Sequence, residues 1–362
     1  MIRQPTLGFL GTAIVVAISL GFVSLFSFSA FSGWVSYYIV ALIPTQVVIA
    51  VTWGCKHPGF AGSRNQPAKG TLLLLFTMVL GAIAAAVLFV TVGGGINPPT
   101  PMLVICNIVA VPIAFWGALI WGGWPFTALS KNPVVVGVAI LIACYLVNYA
   151  VFWVFFDYGF MKDAPIYAAS LDPHGFFNAW KALTFCITGA ASMFLLVNFD
   201  LWPLTKSKSI MRQPWLGIAW TIAVLVLASV VFNVGVTWLG ADPVAFLVSV
   251  PIPFVFGTII LQNSLQGSLY RKMTQPFKGV LNAATAAVIG NALAWLYRVL
   301  APIVTGRLSS GPPAYDFEIW LASALLAVTF PFLIFQAEFF ELWPLKRAEK
   351  VQSVTKSVAA GG

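Results

Sequence analysis

The sequence predicts an all-α integral membrane protein of about ten transmembrane helices, built from five like-oriented helical-hairpin repeats. Three observations predict it. The chain of 362 residues is 60% hydrophobic and only 8% charged, where a soluble domain carries about a quarter charged residues. So few charges cannot wet the surface of a soluble fold, and lipid is the implied solvent. Apolar runs long enough to span a bilayer recur along the chain. The same punctuation also returns: Gln-Pro or Asn-Pro before a pair of runs, an aromatic-proline stop after it.

The expected spans are 7–29, 35–54, 70–92, 102–124, 134–156, 179–201, 215–237, 243–265, 279–303 and 319–342. The first run exceeds a signal peptide's apolar core. Although "SAFSG" at Ser29 resembles a cleavage site, the run opens the repeat and is read as a span. The entries are Gln4-Pro5, Gln66-Pro67, Asn132-Pro133, Gln213-Pro214 and Gln275-Pro276. Four continue as PxxG, to Gly8, Gly70, Gly217 and Gly279, and the third as PxxxG, to Gly137. Proline at the first turn of a helix gives up no hydrogen bond, and the glycine admits a close neighbour.

Exits are Trp124-Pro125, Trp202-Pro203 and Trp343-Pro344, with His57-Pro58-Gly59-Phe60 and Gly267-Ser268-Leu269 in the corresponding places. Tryptophan belongs at headgroup level, and proline ends the helix behind it. Pro44, Pro112, Pro331 and, near that place, Pro253 interrupt even-numbered spans. Each either kinks the packing or frees a carbonyl toward a cavity. The even spans are therefore expected to form the inner layer of a ring-like arrangement whose centre is the path or binding cavity. "GGG" at Gly93–Gly95 precedes "NPPTP" and reads as a turn. The segment Asp157–Asn178 is expected to cap the outer face as a short helix or lid. The domain organisation is one polytopic membrane domain over 1–345, with repeats at 1–65, 66–131, 132–212, 213–274 and 275–345, then a short basic tail over 346–362.

Of 19 Lys and Arg, only Lys162, Lys181, Arg298 and Arg307 lie off the N-terminal, inter-hairpin and C-terminal side. The positive-inside rule then places both termini in the cytoplasm of a plasma (inner) membrane. The other side is acidic, with Asp157, Asp163, Asp172, Asp242, Asp316 and Glu318. A net charge of +9 distributed this way points to the lipid bilayer and away from nucleic acid. A homo-oligomer or a partner membrane subunit is compatible with the pattern.

Charge inside a span is expensive and defaults to function. Arg298 lies within the ninth span, with Asn291 seven residues earlier on the same helical face. It either snorkels to headgroups or faces a cavity. Asn148 holds the place of Asn291 in the fifth span. Glu338 lies one turn inside the tenth span, level with Gln262 and Thr52, and the three are expected to line a cytoplasmic vestibule. Gln46, Asn107, Asn198, Asn233 and Asn263 are further polar residues within spans. Glu341 and Asp200 each precede an exit tryptophan by two residues and are expected to pair with neighbouring cations.

The four cysteines, Cys55, Cys106, Cys144 and Cys186, include no CxxC pair, and the two histidines are His57 and His174. No metal or other cofactor is expected. The sequence holds no GxxxxGK[ST], HExxH or GxSxG. The expected function is a permease, secondary transporter or channel-like protein for a small solute. Arg298 tilts the substrate toward a small organic anion, and Arg298, Asn291, Asn148, Glu338 and Gln262 are the expected binding residues. The alternatives are a membrane enzyme acting on a lipid or quinone through Asp172 and His174, or a non-catalytic membrane subunit.

Overall fold

The computed structural model describes residues 3–164 and 167–346. The tail expected beyond Lys346 lies outside the described residues. Ten helices are long and apolar enough to cross a bilayer. They are α1 (Thr6–Val23), α2 (Phe28–Thr52), α3 (Ala68–Thr91), α4 (Pro101–Ile120) and α5 (Pro133–Phe155), then α6 (Ala179–Asn198), α7 (Trp215–Trp238), α8 (Pro243–Ser264), α9 (Phe277–Val304) and α10 (Asp316–Phe339). Among the described residues the only sheet is a parallel pair of two-residue strands, β1 (Phe156–Asp157) and β2 (Phe177–Asn178).

One boundary departs from the apolar runs. The chain turns at Ser24–Ser27, and α2 starts at Phe28, where Ser27 Oγ accepts the Ala30 N–H at 3.4 Å. The turn is itself apolar, with Leu25 and Phe26, so hydropathy does not reveal it.

The helices form two layers. In their most apolar stretches the odd helices bury 22% to 39% of their residues and the even helices 56% to 78%. The even helices pack in the order α2, α4, α6, α8, α10, and α10 returns to α2, which closes a ring of five. Each odd helix lies outside, against the even helix before it and the even helix one place further back: α3 on α2 and α10, α5 on α4 and α2, α7 on α6 and α4, α9 on α8 and α6. Helix α1 completes the pattern on α10 and α8. The packed pairs are thus α2–α3, α4–α5, α6–α7 and α8–α9, rather than the hairpins read from the sequence as α1–α2, α3–α4 and so on.

Small residues mark the inward faces. On α3, Gly70, Thr77, Gly81 and Ala85 are buried with Leu73 and Leu88, whereas Leu75, Val79, Ile83, Val87 and Val90 are exposed on the outer surface. The end of the bundle where odd helices start is called here the basic face, and the opposite end the acidic face.

The Gln-Pro entry is a clamp. The side-chain Oε1 of Gln4, Gln66, Gln213 and Gln275 accepts the N–H of Gly8, Gly70, Gly217 and Gly279, at 2.9 to 3.2 Å. This satisfies one of the orphan donors of the helix start. The same amide's Nε2 reaches the last turn of an even helix: Ser264 O at 2.9 Å, Phe339 O at 2.6 Å, Ile120 O at 3.0 Å and Asn198 O at 3.5 Å, respectively. The glycine is required because that even helix lies against it. An added Cβ would stand 2.6 Å from the Phe340 ring at Gly70 and 2.6 Å from the Trp121 ring at Gly217.

The third entry departs in sequence and also in bonding. Asn132 caps its own helix through Val134 N at 3.0 Å, and Trp53 Nε1 donates back to Pro133 O at 2.7 Å, its indole lying against Gly137.

Each even helix runs out into two consecutive left-handed residues: Gly54–Cys55, Gly122–Gly123, Asp200–Leu201, Gln266–Gly267 and Glu341–Leu342. Where the first of these is acidic, the entry docked on it carries lysine. Lys69 Nζ lies 2.7 Å from Glu341 Oε1, and Lys278 Nζ 2.7 Å from Asp200 Oδ2. Where it is Gly122 or Gln266, the docked entry carries Leu216 or Leu7 instead.

Candidate functional site

The ring interior is the place the architecture singles out. Pro44, Pro112 and Pro331 are each followed, four residues later, by a π-helical turn: Val48–Thr52, Trp116–Ile120 and Phe335–Phe339. A proline has no N–H for the regular ladder and removes one bond to the preceding turn, while π turns also occur without one, as at Asn233–Trp238 of α7. Helix α8 breaks instead at Val250 (φ −121°, ψ −73°), ahead of Pro251 and Pro253, and still ends in a π turn at Ile260–Ser264. Helix α6 has no proline and stays regular to Asn198.

Polar side chains bridge the seams of the ring. Gln46 of α2 donates to Pro331 O of α10 at 2.8 Å. Asn263 of α8 donates to Glu338 Oε1 of α10 at 3.0 Å. Between α6 and α8, Asn198 donates to Thr258 Oγ1 at 3.0 Å, and Gln262 donates to Asn198 Oδ1 at 3.0 Å. Asn107 of α4 donates to Tyr37 O of α2 at 2.7 Å. Gln46 is fully buried, and its Oε1 has no partner among the described residues.

Across the ring stands an aromatic layer. Phe115 of α4 meets Phe194 of α6 at 5.3 Å between ring centroids and Phe330 of α10 at 6.0 Å, and Phe330 meets Phe256 of α8 at 6.4 Å. All three contacts are edge-to-face, the favoured geometry for aromatic pairs. Helices α4 and α10 are separated by α2 in the ring order, so the Phe115–Phe330 contact spans the interior. The centre expected to be a path is therefore packed with side chains.

The expected binding residues do not converge. Glu338 and Gln262 lie at the basic end of the ring, half-buried, on different partners. Asn263, not Gln262, is the residue level with Glu338, each standing three positions before the first left-handed residue of its helix. Thr52 lies one position deeper toward the stop and makes no side-chain bond to either. Asn148 is fully buried on α5, its Nδ2 3.4 Å from Cys106 Sγ. Asn291 and Arg298 do share one face of α9, and that face is exposed. Asn291 donates to its own helix at Ala287 O (2.8 Å), and Arg298 to Ser249 Oγ (3.0 Å). Arg298→Gln is therefore expected to leave both the melting curve and any transport rate unchanged. Loss of transport in that variant would return Arg298 to the site.

The acidic-face carboxylates hold loops. Asp242 caps α8 through Val244 N and Ala245 N, both at 2.9 Å, and accepts Tyr315 Oη at 2.7 Å. Burial, then that bond, pushes the Tyr315 hydroxyl up to about 12. Glu318 accepts from Ser310 Oγ and Gly311 N, and Asp316 from Ser309 Oγ. In the long segment, the described residues hold the β1–β2 pair and two short 3-10 helices, Gly159–Met161 and Ala169–Leu171. Asp157, Asp172 and His174 bring one ligand atom each to within 4.8 Å of one another, a set able to hold a metal ion. Asp172, however, already accepts Tyr158 N at 3.1 Å, His174 N at 3.0 Å and Tyr167 Oη at 2.8 Å, which ties the segment together.

Two apolar grooves open on the outside of the ring. One of about 1220 Å³ lies between α1 and α3 and reaches Phe332, Phe335 and Gln336 of α10. The other, about 930 Å³, lies between α5 and α7 over α4 and α6.

Of these features, the sequence marks Gln46, Asn198 and Asn263 as polar residues inside spans. It gives no signal for Thr258 or for the four ring phenylalanines, which are 4 among 30. Comparison of the chain with family models, with curated proteins and with solved structures finds no match.

Proposed function

We propose that the protein is a gated permease or carrier that moves a small neutral or cationic solute through the ring of even helices. The phenylalanine layer is its closed gate, and Gln262, Asn263 and Glu338 form the approach from the basic face. The single observation that carries this reading is the Phe115–Phe330 contact across the ring. The unpartnered Gln46 Oε1, held beside Pro331 next to that layer, offers a solute its first buried acceptor. Irregular backbone at membrane depth is tolerated where protein or a cavity covers it, and the π turns of the inner helices meet that condition.

The charge of the approach decides the substrate class. Glu338 is the only charged residue in the basic-face halves of the five inner helices. Arg298, the basis for a small organic anion, lies on the exposed face of α9. A carboxylate at a low-dielectric mouth attracts a cation and repels an anion. In proteoliposomes, uptake of methylammonium is expected to exceed that of acetate, and Glu338→Gln should cut the methylammonium rate roughly tenfold while sparing glycerol. Wild-type vesicles no more permeable than protein-free ones to all three probes would end this reading.

The same proposal sets both termini in the cytoplasm, on the basic face. Single cysteines introduced in the Asp157–Asn178 segment should react with an impermeant reagent from outside, and those at 206–212 should not. The reverse pattern would invert the topology.

A further inference from the structure

The seam between α4 and α6 differs from the others in the ring. Every other seam carries a hydrogen bond through Asn107, Asn198, Gln262, Asn263 or Gln46. Among the described residues α4 and α6 share none, and meet through Phe115–Phe194 and other apolar contacts. Directly outside this seam lies the groove of about 930 Å³.

Its lining on α6 and α4 includes small residues, Ala182, Gly189, Ala190, Pro112 and Gly117, between larger ones such as Trp116, Phe185 and Met193. Gly189 is the clearest mark of open space, since a Cβ added there meets nothing within 4 Å. At the acidic-face end the lining includes Lys181, exposed and with no acidic partner among the described residues. Among the described residues Lys181 is the only charged one lining this groove, and the larger groove between α1 and α3 has none.

We propose that the α5–α7 groove is a binding site for an anionic phospholipid, one acyl chain lying along Gly189 and the phosphate on the Lys181 ammonium. The groove faces lipid, so an acyl chain is what fills it, and small residues let the chain approach the backbone. The cation stands two residues inside the start of α6, a place along a span from which a lysine reaches headgroups. An ammonium is a compact charge with three donors, suited to a phosphate. The site stands apart from the ring interior, and its test does not depend on transport.

The test uses the full chain, purified in detergent and loaded from mixed vesicles of phosphatidylcholine and phosphatidylglycerol, with retained lipids counted by native mass spectrometry. The wild type is expected to hold one phosphatidylglycerol about fivefold more tightly than phosphatidylcholine, the factor one interfacial lysine supplies. Lys181→Gln should remove that preference while the number of retained lipids stays the same. Gly189→Leu should lower the number by one, with either headgroup, at a melting temperature close to wild type. The α1–α3 groove, with no cation, serves as the internal reference for chain binding without headgroup preference. An unchanged preference in Lys181→Gln, or an unchanged lipid count in a folded Gly189→Leu, overturns the assignment. If Gly189→Leu does not fold, the open space at its Cβ is wrong, and the Lys181→Gln comparison alone decides.

Discussion

Phe330→Ala is expected to make proteoliposomes leak small solutes at ten or more times the wild-type rate, because a tenfold gain needs only about 1.4 kcal/mol off the barrier. Phe330 touches both Phe115 and Phe256, so its removal opens the aromatic layer on two sides at once. A hydrophobic constriction gates by excluding water, and a gap the size of a benzyl group next to the Gln46 amide admits it. The same truncation creates a cavity and lowers stability by about 3–5 kcal/mol, so leakage must be separated from unfolding. Phe330→Leu keeps most of the side-chain volume and should restore the seal. Phe232→Ala removes a comparable ring from the α7–α6 contact outside the ring of even helices, where it pairs with Phe185 at 5.8 Å. It should destabilise without leaking. Equal leakage from Phe330→Ala and Phe232→Ala would mean that the aromatic layer closes nothing.

The existence of the helices was legible in the sequence, because the cost of an unsatisfied peptide group in lipid forces every apolar run of this length into a helix. Their faces were not legible from hydropathy, since lipid and protein interior both accept leucine and valine. On α3 the buried face carries the small residues Gly70, Thr77, Gly81 and Ala85, but also Leu73 and Leu88, which hydropathy does not separate from the exposed leucines and valines. The Gln-Pro-x-x-Gly motif was visible, and so was the need for a close neighbour at its glycine. What that neighbour is was hidden, because the clamp reaches back past the adjacent even helix to the one before it, as Gln66 does to Phe339 across the closing seam of the ring. This long-range step is also why the packed pairs differ from the hairpins drawn from sequence order. The pairing of Lys69 with Glu341 and of Lys278 with Asp200 follows from the same step.

For the site, the sequence located polar residues but not their direction. Asn148 and Asn291 hold the same place relative to their entry prolines, yet one is fully buried and the other exposed. The first lies toward Cys106 of α4, and the second turns to its own backbone at Ala287. A helix whose two faces are equally apolar gives no moment from which to tell these apart. The aromatic layer was hidden for a different reason. Phenylalanine serves lipid contact and ring filling equally well, and only the ring order shows that Phe115 and Phe330 meet across an interior.

Gly290→Val is expected to lower stability by about 3 kcal/mol, the upper end of what overpacking costs, and to reduce the yield of folded protein. Gly290 on α9 faces the carbonyl of Pro253 on α8, and one helical turn away Gly257 on α8 faces the carbonyl of Ala286 on α9. At both places the atom in the way is backbone, so no rotamer change makes room. Two helices in backbone contact gain dispersion and Cα–H···O contacts, which are what drive helix association where the solvent is already apolar. A branched side chain at Gly290 must push the whole of α9 outward. That motion would also loosen the bonds by which α9 holds the end of α6, from Gln275 Nε2 to Asp200 Oδ2 at 2.9 Å and from Asn282 Nδ2 to Asn198 O at 3.2 Å. The expected melting curve in detergent therefore shifts down, and Gly257→Val should behave alike. Gly189→Leu is the matched control, a larger substitution at a mid-helix glycine whose Cβ meets open space. If Gly290→Val and Gly189→Leu melt together near the wild type, α8 and α9 are not in backbone contact, and the seating of α9 on the ring must rest on the Gln275 clamp and the Lys278–Asp200 pair instead.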